Sequence, residues 1–139
     1  MKRIFLLLFL TAVLIPVAAP RALAQEPQEP NLDEIINGQI ENLTRIFKLD
    51  EVQVFFVDSI LQNNYKGLQE EVNLTRKSGA SNTETYQIIS DKWMNRTDEA
   101  LEKIFTKEQW GHYLKSSYGK EKKKRDKRIA DRGGFQPSL

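Results

Sequence analysis

Few side chains in this sequence have the types and spacing that chemistry requires, and the first candidates fail on number. His112 is the single histidine and there is no cysteine, so the usual His/Cys zinc clusters cannot be built. Glu108 lies four residues before His112, on the same side of a helix, but two ligands rarely hold a metal, and a satisfied surface histidine is the simpler reading. There is no Gly-x-Ser-x-Gly, no P-loop and no glycine-rich dinucleotide turn, and one histidine limits any Ser/His arrangement. Asp98, Glu99 and Glu102 cluster, but at helical spacings beside Arg96 and Lys103 they read as a solvated face with ion pairs. These patterns point away from an enzyme, and none calls for a cofactor.

Binding chemistry has two better candidates. "KEKKKRDKR", Lys120 to Arg128, carries a net charge of +5. Without interleaved aromatics it suits an anionic lipid, lipopolysaccharide or acidic protein better than a nucleic acid. The plainer reading is a solvated helix end whose positive charge complements the C-terminal dipole. The second candidate is a surplus of large aromatics, Phe55, Phe56, Tyr65, Trp93 and Trp110. They form either a core or dimer seam, or an exposed apolar surface that holds other protein chains.

The elements that must position these residues are helices. Leu32, Ile35, Ile36, Ile40, Leu43, Ile46 and Phe47 recur at three and four, the mark of one buried helical face, with Asn31 at the N-cap. A second helix is predicted from Glu51 to about Lys77. Val54, Val57, Leu61, Leu68 and Val72 form its stripe, with Val52, Phe55, Phe56 and Ile60 beside it. "KSGASN" reads as a turn, and Ser81 with Glu84 as the capping box of a third helix through Tyr86, Ile89, Trp93, Ala100, Leu101 and Ile104. A fourth starts after Thr106, buries Trp110, Tyr113 and Leu114, and runs on into the basic segment. No period-two segment suggests a strand, so the fold class is all-α with about four helices.

The chain ends are of a different kind. Lys2 and Arg3, the apolar run Ile4 to Ile15, and Ala22-Leu23-Ala24 compose an export signal, residues 1–24, cleaved before Gln25. The apolar run is shorter than the roughly 20 residues of a spanning helix. Cysteine-free export suits a bacterial periplasm. Without the signal the balance is 18 basic to 19 acidic residues, divided between an acidic body and a basic end. "QEPQEP", residues 25–30, is a solvated linker, 31–119 the helical domain, and 120–139 a basic helix end with a disordered "GGFQPSL" tail.

One short pattern occurs twice. Leu49-Asp50-Glu51-Val52-Gln53 and Phe105-Thr106-Lys107-Glu108-Gln109 both fit an N-cap followed by a glutamine at N3, the reciprocal capping box. Leu49 and Phe105 then fall at N′, opposite Val54 and Trp110 at N4, the staple pairing that sets how the chain enters a helix. Each copy is therefore a corner, from the first helix into the second and from the third into the fourth.

The doubled Leu-Thr-x-x-Gln pattern in a small exported helical protein resembles the Spy/CpxP family of periplasmic proteins. Leu49, Gln53, Thr106 and Gln109 match, whereas Asp50 stands for Thr and Phe105 for Leu. The resemblance implies an elongated helical hairpin, paired into a curved homodimer, that binds unfolded or envelope proteins without ATP or modulates the envelope-stress response. The alternative is a structural or interaction module for one dedicated envelope partner.

Overall fold

A computed structural model describes residues 31–80 and 82–134. The expected export segment 1–24, the linker 25–30, the Ser81 cap and the tail from Phe135 lie outside these residues. The described chain is all-helical: α1 (Leu32–Phe47), α2 (Glu51–Lys77), α3 (Thr83–Ile104), α4 (Lys107–Lys115) and α5 (Ser117–Asp131).

The count is five rather than four because the expected last helix breaks at Ser116. That residue is extended, with φ −79° and ψ −179°, and serves as C-cap of α4 and N-cap of α5. Its hydroxyl donates to the Tyr113 carbonyl at 2.6 Å and accepts from the Tyr118 N–H at 3.2 Å. A serine that binds both ends of the break replaces the Pro or Gly that normally announces one. Gly119 packs directly on the Leu114 carbonyl, where a β-carbon would collide. The break turns α5 back along α3. Leu114, expected in the core, is left half exposed on α4.

The core is one cluster: Ile36, Leu43 and Phe47 of α1, Leu49 at the corner, Val57 and Leu61 of α2, Leu101 and Phe105 of α3 and its end, and Tyr113 of α4. Burial of each such side chain contributes roughly 1.5–3 kcal/mol. Only the centre of the stripe expected on α2 is fully buried. Val52, Phe55 and Phe56 face outward because α2 meets neighbours on the side of Val57 and Leu61.

The helices α2 and α3 run antiparallel, as their cross-links show. Asn64 Nδ2 donates to Thr97 Oγ1 at 2.9 Å, and one turn or two further out Glu71 accepts from Lys92 Nζ at 2.6 Å and Trp93 Nε1 at 2.7 Å. Gly67 lets the Trp93 ring lie against the α2 backbone, a space that a β-carbon would occupy. At the far end Gly79 takes φ +74°, the left-handed conformation glycine tolerates. The side chain that caps α3 belongs to Asn82, which accepts from the Thr85 N–H at 2.7 Å. Asparagine is a strong N-cap, and the expected Ser81–Glu84 box involves a residue outside those described.

Candidate functional site

Both corners form as capping boxes. Asp50 Oδ1 accepts from the Gln53 N–H at 2.8 Å while Gln53 Oε1 accepts from the Asp50 N–H at 3.1 Å. Thr106 and Gln109 repeat this at 3.2 and 2.9 Å. The reason for two copies is then visible, because the corners meet. Gln53 Nε2 donates to Gln109 Oε1 at 2.7 Å, and Gln109 Nε2 donates to Gln53 Oε1 at 3.1 Å. The second proton of each amide goes to the last carbonyl of the opposite helix, Ile104 for Gln53 and Phe47 for Gln109, both at 3.1 Å. Each glutamine thus uses two donors and two acceptor positions, the full capacity of a carboxamide.

The corners differ by one residue, and the difference is absorbed locally. Two residues, Lys48 and Leu49, separate α1 from Asp50, whereas Phe105 alone separates α3 from Thr106. Lys48 sits at φ 52°, the single positive-φ non-glycine among the described residues, and so lets the longer corner present Phe47 as the shorter presents Ile104. Phe105, the departure from Leu, is buried among Phe47, Trp110 and Tyr113, with ring centroids 5.5, 6.4 and 5.9 Å away.

The five aromatics singled out in the sequence divide. Trp110 stacks on Tyr113 with centroids 4.8 Å apart, and Tyr65 packs against the core, where burial raises its phenol above the usual range. Trp93 is held by Glu71 and lies under the Arg96 guanidinium at 4.7 Å. Each of these three is partly buried and packed within this chain. Phe55 and Phe56 are 68% and 45% exposed, edge to face at 5.6 Å, with Val52 one turn earlier also exposed. Beside Phe56 a groove of about 450 Å³ runs between α2 and α3, with Ile60, Ala100 and Ile104 among its lining and Asn63, Arg96 and Lys103 at its polar margin. Positions 52, 55 and 56 share one face of α2, so the strip is continuous.

A second polar centre lay unread in the sequence. Asp91 and Asp98 are 1% and 3% exposed on α3, against the expectation of a solvated carboxylate face for Asp98. Tyr113 Oη donates to Asp98 Oδ1 at 2.6 Å, and Arg125 pairs with Oδ2. Arg128 grips Asp91 with two bonds, 3.1 and 2.7 Å, joined by Arg132 at 2.6 Å and Gln87 at 3.0 Å. The helix end expected to be solvated is therefore clipped along one side to α3. Burial lifts the Asp98 carboxyl above the usual range despite the Tyr113 and Arg125 donors. At Asp91 burial is outweighed by the arginine and Gln87 hydrogen bonds, which hold its carboxyl below that range. One signal marks the network in the sequence: Asp91 and Asp98 are seven apart, as are Arg125 and Arg132, the spacing of residues on one helical face.

His112 is exposed and lines a shallow pocket with Glu108, Gln109, Thr106 and Lys48. Among the described residues no three His, Asp or Glu side chains group to hold a metal ion, and no helix is long and apolar enough to cross a membrane. No protein-family model, curated protein or solved structure matches the chain. The paired corners and the exposed Val52-Phe55-Phe56 strip are accordingly the features from which function is argued.

Proposed function

We propose that this chain is an exported, non-enzymatic protein of the Spy/CpxP type, an elongated helical hairpin that pairs into a homodimer in the periplasm and holds unfolded or envelope proteins against an apolar helical face. The observation that carries the reading is the exposed strip of Val52, Phe55 and Phe56, next to the groove between α2 and α3. Two phenylalanines set edge to face on a helix surface offer apolar area without a shaped pocket, which suits chains that share only hydrophobicity. The groove adds a polar margin in which Asn63, Arg96 and Lys103 meet the backbone and acidic groups of an extended segment. Such binding needs no cofactor and no nucleotide.

The test is suppression of aggregation. Two unrelated proteins diluted from denaturant should stay dispersed longer with an equal amount of this protein, and Phe55→Ser with Phe56→Ser should abolish most of that effect. Failure of the unaltered protein to slow either client rejects the chaperone reading in favour of a module for one dedicated envelope partner, recognisable by co-purification in fixed ratio.

A further inference from the structure

The three arginines of the basic segment turn to one side of α5 and four of its five lysines to the other, Lys122 being paired with Asp126 at 2.6 Å on the same helix. Arg125, Arg128 and Arg132 turn inward to Asp98 and Asp91. Lys120, Lys123, Lys124 and Lys127 are exposed and wall a shallow trough of about 450 Å³ with Ser117 and Glu121. Lys124 is bound to Glu121 at 2.7 Å on the same helix, whereas no ion pair involves Lys120, Lys123 or Lys127 among the described residues. The three arginines are paired within the fold with two carboxylates, and the outer face keeps its charge.

We propose that this lysine face docks on an anionic lipid bilayer, independently of any client held on α2. Charge distribution is the first argument. Residues 31–119 hold 14 acidic and 10 basic side chains, so an anionic plane attracts α5 and repels the body, which selects one orientation. Residue type is the second. A guanidinium matches a carboxylate with two parallel donors, and α5 already uses Arg128 in that way against Asp91. A lysine is a mobile point charge on a flexible stem, suited to headgroup phosphates that move laterally rather than to a fixed protein carboxylate. The third is shape. Positions 120 to 127 form one straight row of about 10 Å along an open trough rather than around an enclosed pocket. Its aliphatic stems can lie against the headgroup boundary while each ammonium stays in the polar layer.

Vesicle co-sedimentation of the full chain tests this, with phosphatidylcholine alone and phosphatidylcholine mixed with phosphatidylglycerol. The protein should bind the mixed vesicles alone and release as ionic strength rises past the physiological range. A lysine beside an anionic surface is worth roughly fivefold in partitioning, so Lys120→Gln, Lys123→Gln and Lys127→Gln together should lower it about a hundredfold. Lys66→Gln, Lys77→Gln and Lys107→Gln remove the same charge from exposed positions elsewhere and should change it little. Absence of binding to the mixed vesicles at low salt, equal loss in both triple variants, or retention on soluble polyglutamate or nucleic acid without vesicle binding would each overturn the proposal. Far-UV circular dichroism on each variant confirms that helicity is kept.

Discussion

At the scale of single residues, Gln53 and Gln109 do more than their places in two capping boxes require. Each closes its own corner and completes the other, so removing one leaves the other carboxamide short of one donor and one acceptor partner and takes the side-chain donor from a helix-terminal carbonyl. Gln53→Ala should cost about 2–3 kcal/mol, the sum of a lost cap and an orphaned buried acceptor. The Gln53→Ala/Gln109→Ala pair should cost less than the two single changes added, by on the order of 1 kcal/mol. Urea denaturation of the four proteins of the cycle measures both. The carboxylates of α3 give a pH prediction of mixed sign. Asp91 has its folded value depressed, so its contribution is present above the unfolded carboxylate range and is lost as pH falls through the lower folded value. Asp98 has its folded value raised, so its contribution is present below that range and is lost as pH rises through the higher folded value. Acidification should therefore weaken the Asp91 grip on Arg128 and Arg132 while easing the burial of Asp98. Melting temperatures of wild type and Asp91→Asn compared across acid pH should converge as pH falls; a constant gap would contradict the assignment.

At the scale of elements, glycines at two close approaches decide where helices can sit. Gly119 admits the Leu114 carbonyl beside the α4–α5 break, and that backbone cannot move aside as a flexible side chain would. Gly119→Ala should destabilise by about 1–3 kcal/mol, the usual cost of overpacking, and should loosen α5 selectively. Hydrogen exchange should show faster exchange over Ser117–Asp131 with α1 and α2 little changed. Gly67 admits the Trp93 ring between α2 and α3, so Gly67→Ala must displace an indole that Glu71 and Arg96 also hold. A shift of tryptophan emission with a lower melting temperature is the expected result, and unchanged emission would show that the ring is not seated there.

At the scale of the whole molecule, the apolar residues serve two purposes that melting curves can separate. Leu61 is fully buried between the helices, and Leu61→Ala should cost about 2–5 kcal/mol. Phe55→Ser and Phe56→Ser act on the exposed strip, and each should change stability by less than about 0.5 kcal/mol in the isolated chain. If the strip instead forms the seam of the proposed homodimer, the same changes should make the melting temperature depend on protein concentration more weakly than in wild type. Thermal melts over a range of concentrations distinguish a client surface from a subunit seam.

The helical class and the two corners follow from sequence because their causes are local. A three-and-four apolar period and a cap three residues from its glutamine act within a single turn or two, so Asp50 and Thr106 cap α2 and α4 as read. The break at Ser116 did not follow, since serine binds a helix end or passes through a helix according to what packs nearby. Nor did the division of the aromatics: all five are large side chains on amphipathic helices, and only the placement of neighbouring helices packs Tyr65 and Trp110 against the core and leaves Phe55 and Phe56 open. The meeting of Gln53 with Gln109 and of Asp91 with Arg128 spans 56 and 37 residues. Such partners are chosen by how the elements pack, because a polar side chain is spared the cost of burial only where the tertiary fold brings its counterpart within hydrogen-bonding distance.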